Sequence, residues 1–189
     1  MEYLKGTGSA YFEAFNGLWE KAWPEIEPKG KVALLTICSH AKPYSKSFIH
    51  TAIRKGLYER GVPLEKVQYT HISSAGIVPA QIDMDYPFCA YDWNAAEAAP
   101  EDIAHHVAVT TERLSSWYAW YGHQFNRVVV YLRPEGHTME ACKLSLIPAQ
   151  YVQVTDPGPL PYVAVPDIDD RLVHPDNLNR LAAAIKKGL

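Results

Sequence analysis

The segment Cys38-Ser39-His40-Ala41-Lys42-Pro43-Tyr44-Ser45-Lys46-Ser47-Phe48-Ile49-His50 gathers a thiol, two imidazoles, amines, a phenol and several hydroxyls. Such a set can supply a nucleophile, a general acid or base, and a cation for an anionic group. Cys38 can attack an electrophilic carbon if its thiolate is supported by His40, His50, Lys42 or a helix N-terminus. It can equally be a small packing residue at a strand end. His50 titrates in the right range for a general acid or base, or it fixes the loop by hydrogen bonding. Lys42 and Ser47 suit a phosphate or a carboxylate; their plainer roles are a solvated lysine and a helix N-cap. Tyr44 offers a flat ring to a nucleobase, or fills the core.

Two further segments carry polar chemistry. One is Ile72-Ser73-Ser74-Ala75-Gly76-Ile77-Val78-Pro79, continuing through Asp83, Asp85, Tyr86-Pro87 and Tyr91-Asp92. Ser73 and Ser74 can donate to a base edge, and one of the three carboxylates can take a proton from an amine or hold its ammonium. The other segment is Arg133-Pro134-Glu135-Gly136-His137, where Arg133 and His137 can bind a phosphate or a carboxylate. His105 and His106 are adjacent on a helical pattern and point in different directions, so they are poor joint ligands. No metal site and no cofactor is expected. None of the three segments matches a phosphate loop or a dinucleotide fingerprint.

The elements that position these segments follow from periodicity. A helix is expected over 9–23, a buried strand over 31–37, a helix over 46–60 and a strand over 66–74. An irregular stretch runs to about 99. A helix over 101–121, a strand over 127–132, a helix over 137–146 and a strand over 151–154 come next. A Pro- and Asp-rich loop from 156 to 177 leads into a terminal helix over 175–187. This alternation implies an α/β fold: a central parallel sheet of about four strands with helices on both faces. A single domain is expected, with an N-terminal helix and linker over 9–30, a core over 31–155 and a C-terminal loop and helix over 156–189. The three polar segments then converge on one sheet edge, where such folds bind ligands.

Composition narrows the function classes. The 189 residues carry a formal net charge of -3, which argues against a free-standing module gripping nucleic acid through a broad basic face. Twelve Tyr and five Trp mostly fill the core, and some can line a pocket for a flat ligand. Three cysteines without paired spacing make neither a disulfide framework nor a zinc motif. With no signal peptide and no membrane-spanning run, the expected compartment is the cytoplasm.

Cys38-x-x-x-Lys42-Pro43-Tyr44-x-x-Ser47-x-x-His50 resembles the signature of the archaeosine synthase core domain, with Ile37 where that family usually has Pro. The block from Ile72 to Pro79, with Tyr86-Pro87 and Tyr91-Asp92, is similar to the family's second run. The resemblance covers about residues 31 to 150. It implies a three-layer αβα sandwich of the uracil-DNA-glycosylase type. The implied activity adds free lysine, or a related amine, to the nitrile of 7-cyano-7-deazaguanine in tRNA, giving an amidine. Cys38, His50 and Asp92 would be the catalytic residues, Asp92 being favoured among the carboxylates because Tyr91-Asp92 lies in the resembling block. Lys42, Tyr44, Ser47, Ser73, Ser74, Tyr91, Arg133 and His137 would bind substrate. Full-length synthases also carry a transglycosylase-like region and an RNA-binding module, with no counterpart in these 189 residues. A partner subunit supplying RNA binding, or a deazaguanine substrate in DNA, is the corresponding expectation. A base-acting hydrolase using Asp83 or Asp85, and a non-catalytic tRNA-binding subunit, are the alternatives.

Overall fold

The computed structural model describes residues 4–5, 15–39, 41–92, 97–156, 158 and 168–189, with side chains for all of these except 4–5, 91–92 and 168. The strands are β1 (Leu4–Lys5), β2 (Val32–Ile37), β3 (Val67–Ser73), β4 (Gly76–Pro79), β5 (Tyr91–Asp92), β6 (Arg127–Tyr131) and β7 (Gln150–Tyr151). The α-helices are α1 (Phe48–Glu59), α2 (Pro100–Trp120), α3 (His137–Leu144) and α4 (Pro175–Lys186).

β2 and β6 are nearly continuous apolar runs, and β3, although it carries Gln68, Thr70, His71 and Ser73, is buried along its whole length. The main sheet has the order β4-β3-β2-β6-β7, and β1 pairs with β5 apart from it. Alternation along the strands divides the core in two. Val32, Leu34, Val129 and Tyr131 meet Ile53 and Leu57 of α1 and Leu181 and Ile185 of α4. Ala33, Leu35, Val128 and Val130 meet Leu114 and Trp117 of α2, Met139 of α3, and Trp23. Helices therefore cover both faces, giving three layers.

The sheet departs from expectation in two ways. Among the described residues it has five strands rather than about four, and β4 runs antiparallel to β3. β4 lies in the stretch expected to be irregular. It exists because a tight hairpin closes between Ser73 and Gly76, where Ser73 Oγ accepts from Ala75 N at 3.1 Å. Gly76 has φ 126°, and a Cβ there would collide with the Trp19 ring, so glycine is required twice over.

The N-terminal segment also differs. Of the helix expected over 9–23, residues 9–14 lie outside the described residues. Turns follow, then a 3-10 helix at Glu20–Glu25 that contains Pro24. The helical spacing of Phe15, Trp19 and Trp23 reflects three buried anchors rather than a continuous α-helix, and Gly17 with φ 73° breaks the run. Within the loop expected over 156–177, Ile168–Val173 forms a 3-10 helix, tied to the sheet by the Tyr131 hydroxyl donating to Leu172 O at 2.7 Å. No described helix is long and apolar enough to cross a membrane.

Candidate functional site

Thr36 and His71 sit side by side at the ends of β2 and β3, paired in register. The Thr36 hydroxyl lies 3.3 Å from His71 Nδ1 and 3.2 Å from Thr70 O. On the other side of the ring, His71 Nε2 is 3.6 Å from Asp83 Oδ2. That carboxylate favours the Nε2–H tautomer, while the Thr36 hydroxyl donates to Thr70 O. Asp83 also holds the Cys38–His50 segment: Ser45 N donates to Oδ2 at 2.6 Å and Ser45 Oγ to Oδ1 at 3.1 Å. Thr36, His71 and Asp83 are all fully buried. Two of the polar segments are thus fastened to each other inside the protein.

Tyr44 and His50 complete this layer. The Tyr44 ring is 4.9 Å from the His71 ring, and His50 meets His71 edge-on at 4.5 Å. Both side chains are fully buried. Lys42 Nζ stands 5.8 Å from the Tyr44 ring centre. Ser47 caps α1 by accepting from His50 N at 3.4 Å. Neither ring nitrogen of His50 makes a well-formed hydrogen bond to a described residue.

Burial sets the electrostatics of the layer. It pushes His50 down to about 4, against the pull of the Ile37 backbone. It holds His71 well below its ordinary value, with the neighbouring His50 and Arg54 acting in the same direction. Both imidazoles are neutral at neutral pH.

The β6 side is different in kind. Arg133 Nε pairs with Asp169 Oδ1 at 3.1 Å, each side chain about a quarter exposed. Arg171 bridges Glu135 Oε1 at 3.1 Å and Asp156 Oδ2 at 2.8 Å. Cys38 lies between the two sides, its N–H donating to Ile72 O at 3.1 Å. Burial pushes its thiol up; Lys42 and Arg133 draw it down, and Asp169 pushes it up. One cation from each of two segments and one carboxylate therefore act on the same sulfur.

Arg133 and Asp169 form an ion pair, and their charges, with that of Lys42, reach the Cys38 thiol. The structure places Tyr44, Ser47 and His50 in the buried layer beneath. Ser73 is engaged in the β3–β4 turn. Ser74 is buried and its carbonyl accepts from Arg113 at 2.9 Å. His137 begins α3, half exposed and 3.9 Å from Glu140. Tyr91 and Asp92 form β5, but their side chains, like His40, lie outside the description. Among the described residues no group of three or more His, Cys, Asp or Glu could hold a metal ion.

Sequence reasoning missed Thr36, Ser45, His71, Asp169 and Arg171. His71 had a signal: it shares the pleat face of Tyr69 on a strand buried along its whole length. Asp169 had none, since it stands in a Pro- and Asp-rich stretch beside Asp167 and Asp170.

A family model described as a domain of unknown function (DUF5591) matches residues 19–156. No curated protein matches the chain. A solved structure described as AF0587, a protein of unknown function, is similar with a TM-score of 0.56 at 18% identity. The match covers 93% of this chain and 50% of that one, so this chain spans about half its length. At that identity the likeness speaks for the fold alone. With most of its core inside the matched span, the chain belongs to the DUF5591 family.

Proposed function

We propose that this chain adds the side-chain amine of lysine to the nitrile of 7-cyano-7-deazaguanine in tRNA, on a fold of the uracil-DNA-glycosylase type. The resemblance of the Cys38–His50 and Ile72–Asp92 blocks to the archaeosine synthase core suggests this chemistry. The observation that carries it is the partly solvated Arg133–Asp169 ion pair, 3.1 Å long, just beyond the end of β6 and next to the end of β2 from which Cys38 follows. Free lysine presents a carboxylate and an α-ammonium on one carbon. Arg133 or Lys42 suits the first and Asp169 the second, so the amino acid can replace the Arg133–Asp169 pair with two pairs of its own.

The reaction balances without a redox step. The neutral amine nitrogen bonds to the nitrile carbon, one C–N π bond breaks, the nitrile nitrogen gains a proton and the amine loses one. All atoms of both reactants remain in the amidine. Asp92 is assigned to take the amine's proton, as the resembling block implies. A thiol held protonated by burial favours direct attack by the amine over a thioimidate on Cys38. His50, fully buried against His71, acts as a wall that fixes Tyr44 and the loop rather than as a proton donor to substrate. A hydrolase using Asp83 is disfavoured, because that carboxylate is fully buried and engaged by Ser45 and His71.

The test is mass spectrometry of nucleosides from tRNA carrying 7-cyano-7-deazaguanine, incubated with the protein and free lysine. A gain of one lysine is expected. No gain with protein equimolar to tRNA would contradict the proposal.

A further inference from the structure

The face formed by α1 and α4 carries a groove of about 670 Å³. It begins at Lys46, one residue beyond the Ser45 that Asp83 holds. Its floor is apolar, built by Val173 and Leu178, and α1 and α4 approach closely there. A Cβ on Gly56 would lie 2.6 Å from Leu178 Cδ1.

The walls are cationic in a chain whose net charge is -3. Lys46, Lys55 and Arg60 line the groove with Glu59 as the one carboxylate among its lining residues, a local excess of two positive charges. Lys55 is largely exposed and 3.8 Å from Glu59, a loose pair that a stronger anion can replace. Arg60 is anchored by hydrogen bonds to Gly56 O, Asn179 Oδ1 and Pro175 O, so it contributes a fixed charge rather than a mobile contact. Phe48 stands 58% exposed at the mouth, beside Lys46.

We infer that this groove holds the sugar-phosphate backbone of the RNA that presents the modified base, with Lys46 and Lys55 on phosphates and Phe48 stacked on a nucleobase flanking the target. Mobile ammonium groups interleaved with an exposed aromatic ring are the features by which proteins track single-stranded segments. Lys46 follows Ser45 directly, so a strand lying in the groove runs beside the loop that Asp83 holds. RNA as the polymer rests on the proposed function; the groove's charge and geometry do not.

The test is fluorescence anisotropy of a labelled, unmodified tRNA transcript across a salt series, without lysine or turnover. Binding can thus fail while amidine formation succeeds, or the reverse. Lys46→Gln/Lys55→Gln should weaken binding by about tenfold or more at low salt and flatten the log K against log salt slope by about 2. Phe48→Ala should weaken binding several-fold with the slope unchanged. Lys46→Arg/Lys55→Arg should bind as wild type does. A double Gln variant within twofold of wild type and with the same slope would overturn the inference. So would absence of wild-type binding at about 50 mM salt. Tighter binding of a DNA duplex of equal charge would overturn the assignment to RNA.

Discussion

The two sides of the sheet edge are built on opposite principles. Beneath β2 and β3, Thr36, His50, His71 and Asp83 form a buried layer of polar groups with both imidazoles neutral, and the half-buried Ser45 is tied to it. Beyond β6, Arg133, Asp169, Arg171, Glu135 and Asp156 form a partly solvated chain of ion pairs. A buried polar group that loses its partner keeps the full cost of desolvation, whereas an exposed ion pair gives up little. The first region is therefore suited to holding a shape and the second to exchanging partners with a ligand.

The sharpest way to break the comparison is Asp83→Ala. It strips the acceptor from Ser45 N and Ser45 Oγ together and removes the carboxylate that faces His71 Nε2 at 3.6 Å. A loss of about 3 kcal/mol in denaturant unfolding is expected. A loss under about 1 kcal/mol would mean that the layer is not the clamp described.

Acid probes the same layer, together with the buried His106 on α2. His50 and His106 are pushed down to about 4 and His71 well below its ordinary value. The unfolded chain takes up protons near pH 6.5 that the folded chain refuses. The stability contributed by these neutral rings is complete above about pH 6.5 and falls as pH drops towards 4, by about 1.4 kcal/mol per pH unit for each ring. Melting temperatures should fall steadily between pH 7 and pH 4.5, and a flat profile would count against buried neutral imidazoles.

Smaller effects sharpen the contrast. Ser47→Ala removes the α1 cap and should cost about 1 kcal/mol by thermal unfolding. Arg133→Ala, on the solvated side, should change stability by less than about 1 kcal/mol. If Arg133→Ala destabilised as strongly as Asp83→Ala, the division into shape and exchange would collapse.

The fold was legible where periodicity and burial coincide. β2 and β6 follow apolar runs and the four helices follow apolar faces, and the ends of these elements and of β3 lie within a few residues of the sequence-based bounds. β4 was not legible, because four residues after a tight turn look like loop; only the Ser-Ser-Ala-Gly turn hinted at it. Phe15, Trp19 and Trp23 misled by helical spacing that arises from burial alone. For the site, the Cys38–His50 segment was marked by its composition, and Arg133 by standing after a strand. His71 escaped notice because a lone histidine on a buried strand looks like core. Asp169 escaped because its meeting with Arg133 joins residues far apart in sequence, which no local pattern records.

The central claim is that the charged side holds an amino acid by its carboxylate and α-ammonium. The most direct measurement compares kcat/KM for lysine and for cadaverine, which lacks the carboxylate, in wild type and in Arg133→Ala. Wild type should prefer lysine, and the variant should lose about tenfold or more of that preference through KM. An unchanged preference ratio would show that Arg133 does not read the carboxylate, and the assignment of this site to an amino acid would fail.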